Sequence, residues 1–325
     1  MANKAYPFYT ADVFSDRAFG GNPLAVFPIA DGITDEQMLQ IAQEFNLSET
    51  VFVLLPRTPR ADRRLRIFTP AGEIPFAGHP TLGAAAVLAL IGEAPATSNE
   101  ATIYLEEDVG FIPVTIRVAL DQPVYAELTV NQPPTFDAPP APLADLTATV
   151  GLTENDLLDP QDYPPLVGSC GLPFLVLPVK DVDVLGRSHL IKPHWETHLA
   201  NTPAAHIYLI TPDLITPDPA PSSSQSPSHW RVRMYAPGLG IPEDPATGSA
   251  ATVLGGYLAH HGPIASRADG EYTWHVEQGI EIGRPSKLAI RTTRLNQQIQ
   301  SISVGGYSTL MSKGQFLLPD PSELD

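Results

Sequence analysis

Short apolar runs that end at a proline recur along the chain, and they recur in matching pairs. Gly21–Pro28 and Gly171–Pro178 each place a turn before such a run, at an offset of 150 residues. Val51–Pro56 and Ile207–Pro212 form a second pair, at an offset of 156 residues. Apolar runs of this length, bounded by turn residues, are typical of buried strands. The pattern predicts a buried strand in each of these four segments.

A third pair of segments alternates polar and apolar residues, which predicts half-exposed strands. Arg64–Pro70 and Arg231–Pro237 match at an offset of 167 residues, so the second copy carries 11 extra residues within Asp213–Trp230. That segment holds four prolines and five serines. Such a composition cannot bury enough apolar surface to order itself, which predicts a flexible surface loop outside the core.

Two junctions lead from a turn into a run of small apolar residues, and these also form a pair. Pro75–Thr81 precedes the first run, Leu82–Leu88, and Ile241–Thr247 precedes the second, Gly248–Leu254. Runs of small residues favour helices that pack close to their surroundings. A helix start leaves backbone N–H groups free to face an anion, so both junctions are candidate ligand sites. Simple helix capping is the structural alternative at each.

The repeat extends over nearly the whole chain and has a period near 160 residues, which is too long for a solenoid and indicates a duplicated domain. We expect an α+β fold with two pseudo-symmetric domains, each a mostly antiparallel sheet wrapped around a central helix. The expected boundaries are an N-terminal half at 1–135, a Pro-rich connector at 136–165 and a C-terminal half at 166–325, whose tail packs on the first half. A small ligand is expected in the cleft between the halves.

Composition narrows the classes of partner and compartment. The 325 residues suit two domains, and 19 basic against 36 acidic residues give a net charge of −17, which repels nucleic acids and acidic membranes. No apolar run is long enough to span a membrane and no secretory signal is visible, so we expect a cytoplasmic protein. A single cysteine, Cys170, excludes an intrachain disulfide.

Glu49 stands out because it follows a predicted amphipathic helix, Asp35–Phe45, and begins an apolar strand. A solvated turn glutamate is the structural alternative. The alignment of the copies places Ala204 or Ala205 opposite Glu49, so the carboxylate has no counterpart. In an apolar cleft its pKa would rise toward neutrality, and it could then carry a proton.

His79 and Asp244 are expected in equivalent loops before the two helices, where they could face one ligand. Each has a structural alternative, as a satisfied loop histidine and as an ordinary acidic residue near a helix start. Ser249 could be a cap, and Asn22 could shape the turn in Gly-Asn-Pro or reach the ligand.

Other cofactor and metal signals are weak. His194 and His198 have helical spacing, but only one carboxylate lies among them, so no metal site is expected. Neither a phosphate loop nor a complete dinucleotide fingerprint occurs, and no cofactor is expected.

Several motifs together, in this order, resemble the phenazine-biosynthesis PhzF family along essentially the full length. They are Gly21-Asn22-Pro23, Ser48-Glu49-Thr50, Phe76-Ala77-Gly78-His79-Pro80-Thr81, Glu243-Asp244-Pro245-Ala246-Thr247-Gly248-Ser249-Ala250, Glu277-Gln278-Gly279 and Gly283-Arg284-Pro285-Ser286. The resemblance implies the diaminopimelate-epimerase-like fold and a homodimer. Related racemases of this fold use two cysteines, which these junctions lack.

The resemblance also implies cofactor-free proton movement on a small carboxylate-bearing substrate. Glu49 would be the general base and then the acid, with His79, Asp244 and Ser249 orienting substrate or relaying protons. Substrate would be bound by Asn22, Gly78, Thr247 and Gly248, the two glycines through backbone N–H groups. The expected function is therefore a cofactor-independent isomerase. The alternative is a small-ligand-binding protein that uses the same cleft without turnover.

Overall fold

The computed structural model describes residues 4–94, 99–119, 122–213, 228–261 and 269–319. The chain divides into two compact units: unit 1 comprises Met1–Leu128 with Gly305–Asp325, and unit 2 comprises Thr129–Val304. Most of the Pro- and Ser-rich insertion, residues 214–227, lies outside the described residues.

The described elements of the first part of the chain are, in order, β1 (Lys4–Val13), β2 (Asn22–Phe27), α1 (Asp35–Phe45), β3 (Glu49–Leu54), β4 (Arg63–Thr69), β5 (Gly72–Ile74), α2 (Gly78–Leu90), β6 (Glu100–Glu107), β7 (Gly110–Arg117) and β8 (Val124–Val130).

The later elements are β9 (Thr135–Asp137), α3 (Leu143–Ala148), β10 (Leu166–Ser169), β11 (Pro173–Pro178), α4 (Val182–Arg187), α5 (Lys192–His198), β12 (His206–Pro212), β13 (His229–Ala236), β14 (Ile241–Asp244), α6 (Gly248–His260), β15 (Gly270–Gln278), β16 (Ser286–Leu295) and β17 (Gln298–Leu318), with 3₁₀ turns at Glu154–Asp156 and Pro237–Leu239. The segment expected as a connector thus holds β9, α3 and a 3₁₀ turn, and it belongs to unit 2.

Unit 1 contains a mixed sheet. β1 pairs antiparallel with β2, β2 runs parallel to β3, β3 is antiparallel to β4, and β4 pairs with the short β5 and runs parallel to β6. β7 and β8 continue antiparallel. The end of β17 pairs with β1, from Lys4 opposite Leu318 onward, and this pairing brings residues after Gly305 into unit 1.

Unit 2 repeats this order of pairings, with β10 to β16 in the places of β1 to β7. β11 runs parallel to β12 and β13 parallel to β15, and the remaining pairs in the series are antiparallel. The duplication read from the sequence is therefore present as a repeated topology of mixed sheets.

The strand registers correct the sequence alignment at Glu49. Leu24 on β2 lies opposite Glu49, whereas its counterpart Phe174 on β11 lies opposite His206. On the other side Val51 lies opposite Ile67, and Tyr208 opposite the matching Met234. Both registers give an offset of 157 residues instead of 156, so the counterpart of Glu49 is His206, and the expected Ala204 or Ala205 is wrong.

The helix junctions require a second correction. Ile74 and Asp244 end the matching hairpin strands β5 and β14, and each helix begins four residues later, at Gly78 and Gly248. The copies therefore match at an offset of 170 residues here, one helical turn away from the sequence alignment. His79 lies within α2 and corresponds to Ser249, so the expectation that His79 and Asp244 occupy equivalent loops is wrong.

The helices α2 and α6 are buried along almost their whole length. Ten of the 13 residues of α2 and 11 of the 13 of α6 are buried. α2 contacts β1, β2, β3 and β7, and α6 contacts β10, β15 and β16. A Cβ on Gly83 would lie 2.5 Å from the side chains of Val13 and Leu24, so this position needs a glycine for the helix to approach the sheet.

On unit 1, α1 shields an aromatic cluster. Thr34 and Gln37 form a capping box that starts the helix, and Asn46 in the left-handed region ends it. Its buried face packs with Phe27, Phe52 and Phe68, where Phe27 stacks on Phe52 at 5.1 Å between ring centroids. The corresponding core of unit 2 is formed mainly by aliphatic residues, with Trp195 and Tyr235.

Candidate active site

Glu49 is the first residue of β3, three positions after Asn46 turns the chain out of α1. Its side chain is 13% exposed, so most of the carboxyl group is removed from water. The apolar residues that follow it on β3 are buried in the sheet, which fixes the backbone at Glu49. The strand thus presents a mostly buried carboxyl group at its beginning.

His79 faces Glu49 from the first turn of α2. The His79 Nε2 atom lies 3.3 Å from Glu49 Oε2. Complete burial lowers the pKa of His79 to about 3, so the imidazole is neutral at neutral pH. The pair therefore consists of a carboxyl group and an uncharged ring and is not an ion pair.

Asn22 sets the tautomer of that ring. Its Nδ2 lies 3.4 Å from His79 Nδ1, and because an amide nitrogen can only donate, Nδ1 accepts and the ring proton resides on Nε2, the nitrogen that lies 3.3 Å from Glu49 Oε2. Asn22 is fully buried at the start of β2, directly after Gly21. Gly21 has a φ of +66° and leaves no room for a Cβ, which would lie 2.3 Å from Val13 O, so this turn requires a glycine directly before Asn22.

The start of α2 has no side-chain cap. Ala77 is the N-cap residue, and Gly78 opens the helix with its backbone N–H groups beside His79. First-turn N–H groups have no partner within a helix and carry the positive end of its dipole, so they suit a carboxylate.

Thr81 and Glu107 lie directly beneath this turn. Thr81 Oγ1 is 2.7 Å from Ala77 O and 2.7 Å from Glu107 Oε1. Burial is the main cause that raises the pKa of Glu107 to about 8, with a smaller contribution from Asp108, while the contact with Thr81 opposes the shift. Burial thus favours the protonated form of Glu107.

The corresponding turn of unit 2 is held by Asp244, Thr247 and Gln278, all of which are buried. Thr247 Oγ1 donates to Asp244 Oδ2 at 2.5 Å, and Gln278 Nε2 donates to Asp244 O at 2.7 Å and to Thr247 Oγ1 at 2.9 Å. The Gln278 side-chain oxygen accepts from the Thr247 backbone N–H. Gln278 thus fixes Asp244 in front of α6.

Gly248 and Ser249 begin α6, again without a side-chain cap from Thr247. The Ser249 hydroxyl is half-buried and makes no hydrogen bond within the described part of the chain. The structure brings Glu49, His79, Asn22 and Gly78 together in unit 1. It brings Asp244, Thr247, Gly248 and Ser249 together in unit 2.

Comparison with known proteins identifies the family. A family profile described as phenazine biosynthesis-like protein, PhzC-PhzF, matches residues 11–314. The chain belongs to the PhzF family. An uncharacterized isomerase of Mesorhizobium japonicum is 34% identical over 98% of this chain and 100% of its own. The trans-2,3-dihydro-3-hydroxyanthranilate isomerase of Pseudomonas aeruginosa is 33% identical over 96% of this chain and 99% of its own.

Solved structures agree with this assignment. A PhzF-family protein of Bacillus anthracis is 28% identical, with a TM-score of 0.83, covering 97% of this chain and 100% of that one. A hydroxyproline epimerase of Agrobacterium vitis is 13% identical over 99% of this chain and 95% of that one, and its TM-score of 0.59 shows a shared fold. The predicted family resemblance and the isomerase class are confirmed, and the protein is an isomerase of the PhzF family.

Among the described residues, no helix is long and apolar enough to cross a membrane. Within the same residues, no group of three or more histidine, cysteine, aspartate or glutamate side chains has an arrangement that could hold a metal ion.

Three buried polar residues were not among the candidates chosen from sequence. Gln278 occurs in the motif Glu277-Gln278-Gly279, which contributed to the family resemblance, but the sequence indicated no role for Gln278 itself. Glu107 gave no signal by itself, because it ends a strand with two other acidic residues beside it. His206 was not found because the alignment of the two copies was wrong by one residue at Glu49. Its Nδ1 is buried without a hydrogen bond to any described residue, and burial lowers the pKa of His206.

Proposed function

We propose that this PhzF-family isomerase moves a proton between two carbons of a small carboxylate-bearing substrate without a cofactor, with Glu49 as the base and then the acid. The 3.3 Å approach of the neutral His79 ring to the Glu49 carboxyl group carries the proposal. A neutral ring next to Glu49 does not compete with the carboxylate for a substrate proton.

The reaction consists of two proton transfers by one group. The Glu49 carboxylate removes a proton from a carbon next to an unsaturated or carbonyl-bearing centre, which leaves the electron pair delocalised in the substrate. The neutral Glu49 acid then returns the proton to another carbon of the same molecule. The double bond has moved, no atom has been gained or lost, and Glu49 is again a carboxylate.

The first-turn N–H groups of α2, beginning at Gly78, suit the substrate carboxylate, because they are uncapped and adjoin His79. Asn22 acts indirectly, because its amide sets the tautomer of the His79 ring. We assign Asp244 and Ser249 to orienting the substrate or relaying protons, and Thr247 and Gly248 to binding it. Their arrangement at the uncapped start of α6 supports this role.

The name of the Pseudomonas aeruginosa relative suggests trans-2,3-dihydro-3-hydroxyanthranilate as the first compound to test. Turnover in D₂O, followed by NMR, reports product formation and the deuterium that enters the product when the Glu49 acid exchanges its proton with solvent before the second transfer. We expect Glu49→Gln to lower the rate of deuterium incorporation at least about 100-fold, as is typical for loss of a general base. Binding, measured by titration calorimetry, should remain within a few-fold. Glu44→Gln, an exposed carboxylate five residues earlier, is the matched control.

Unchanged incorporation in Glu49→Gln would refute the assignment of the base. If the first compound is not turned over, a panel of small cyclic and amino-acid-derived carboxylic acids follows. Binding without exchange across the panel would favour a ligand-binding protein. We also expect a homodimer, which light scattering after size exclusion measures directly.

A further inference from the structure

Glu107 lies outside the group of residues assigned to substrate, yet it is one of the most deeply buried acidic side chains of unit 1. It ends β6, is 5% exposed, and contacts the first turn of α2 through Thr81. Its Oε2 atom is buried and has no hydrogen-bond partner among the residues that the structure describes. A charged carboxylate with one oxygen deprived of any donor would be costly in such a place, whereas the carbonyl oxygen of a neutral acid is tolerated far better.

The contacts of Thr81 give an independent argument for the neutral acid. Its hydroxyl oxygen is 2.7 Å from Ala77 O and equally 2.7 Å from Glu107 Oε1. A hydroxyl has one proton, and Ala77 O can only accept. Both contacts are hydrogen bonds only if Thr81 donates to Ala77 O and Glu107 donates to Thr81, which requires a proton on Glu107.

The second copy supplies a natural comparison. Arg64 lies opposite Glu106 and its counterpart Arg231 lies opposite Glu277, so the next residues, Glu107 and Gln278, are equivalent. Gln278 Nε2 donates to the hydroxyl of Thr247, which in turn donates to Asp244. A permanently neutral donor at this position thus holds a threonine hydroxyl at the start of α6, on the N-cap residue that corresponds to Ala77.

Within the described part of the chain, no cation pairs with Glu107. His79 is the one titratable residue on α2, and Arg117 on β7 pairs with Glu100 at the far end of β6. On β4, Arg63 pairs with Glu93, Arg66 pairs with Asp35 and Glu73, and Arg64 is influenced by Asp108 and Glu106. Asp108, which has the same charge sign as an ionised Glu107, is the charge that acts on it.

We propose that Glu107 is a positioning residue that carries a proton at neutral pH and, by donating it to Thr81, fixes the first turn of α2 that holds His79 against Glu49. When Glu107 loses this proton, Thr81 turns its own proton from Ala77 O toward the new carboxylate, and the first turn loses a hydrogen bond. The link to activity rests on the proposed function, but the protonation of Glu107 does not.

Infrared spectroscopy of the full-length protein tests the protonation directly. At pH 7 we expect the carbonyl stretch of a protonated carboxylic acid in the wild type and its loss in Glu107→Gln. It should persist in Glu100→Gln, which removes an exposed carboxylate from the same strand. The band should disappear as the pH rises through about 8, the pKa of Glu107. Identical spectra for the wild type and Glu107→Gln at pH 7 would overturn the proposal.

Kinetics of deuterium incorporation test the positioning role, with trans-2,3-dihydro-3-hydroxyanthranilate or whichever panel compound is turned over. Glu107→Ala should lower kcat about tenfold with KM within threefold, since a lost donor disturbs His79 more than binding. Glu107→Gln should restore most of this loss and should keep its rate above pH 8, where the wild type declines. The same alkaline decline in Glu107→Gln would refute the role. An active Glu49→Gln would refute the proposed base and leave the infrared result unaffected.

Discussion

The buried neutral state of His79 has a cost that can be measured as acid sensitivity. The pKa of His79 is about 3 in the folded protein, against 6.5 as its ordinary value. Below pH 6.5 the unfolded chain binds a proton at this residue that the folded protein does not. The free energy of unfolding therefore falls as the pH is lowered from 6.5 toward 3.

The magnitude follows from the pH interval. Each pH unit below 6.5 costs about 1.4 kcal/mol, so at pH 5 the His79 contribution amounts to about 2 kcal/mol relative to pH 8. Substitution His79→Gln removes the titrating group while keeping a side chain of similar polarity. The variant and the wild type can differ in stability already at pH 8. The measured quantity is therefore the change with pH in the difference between their free energies of unfolding.

Urea unfolding at pH 8, 6.5 and 5 measures this change. We expect the stability of His79→Gln relative to the wild type to improve by about 2 kcal/mol between pH 8 and pH 5. His194→Gln, at an exposed position on α5, serves as the control and should run parallel to the wild type. A His79→Gln curve that is also parallel to the wild type over this range would refute a buried neutral His79.

Two further predictions concern packing and a buried ion pair. Gly83→Ala should destabilise the protein by about 2 kcal/mol, because the new Cβ would lie 2.5 Å from the side chains of Val13 and Leu24. The control Gly186→Ala on α4, where the Cβ would meet open space, should be neutral or stabilising. Equal effects of the two substitutions in thermal unfolding would contradict the close packing of α2. Glu243→Gln should cost about 3 kcal/mol, because Arg233 would stay buried without its carboxylate partner, whereas Glu271→Gln in the exposed pair with Arg291 should cost less than about 0.5 kcal/mol. A loss for Glu243→Gln no larger than that of its control, in urea unfolding, would show that the buried pair is not formed.

The sequence predicted those elements whose boundaries are marked by local chemistry. The helix expected at Asp35–Phe45 has those limits, because a capping box starts it and Asn46 ends it. The paired strands were also found where apolar runs met prolines or glycines. For these elements, the residues that set the boundary lie next to it in the chain.

The errors arose in segments where the residues do not indicate which face of the strand or helix is buried, so that the register is not defined by the sequence. Val51–Leu54 and Ile207–Ile210 are apolar on both faces, so nothing in the residues distinguishes an offset of 156 from 157. The start of α2 was misplaced for a related reason, since Gly78 to Ala86 offers small residues without an amphipathic face. Only the hydrogen-bonded registers resolve both cases, and they replace Ala205 by His206 as the counterpart of Glu49.

The site was predictable in its residue types but not in its connections. Asn22, Glu49 and His79 could be chosen from motifs, whereas the amide that sets the tautomer and the protonated Glu107 depend on contacts between residues far apart in sequence. Burial decides the protonation of both His79 and Glu107, and burial is a property of the folded chain.

Because α2 is buried on all sides, its first turn also fixes the orientation of the helix in the core. A helix that is apolar on every side gains little from any one rotation about its axis, because each rotation buries a similar surface. The polar contacts of His79 and Thr81 then determine which rotation of the helix about its axis is stable. Residues of the candidate site are, on this argument, also determinants of a unique native structure. Substituting them should broaden the conformational ensemble of the core, which makes side-chain methyl NMR a sensitive reporter of changes at the candidate site.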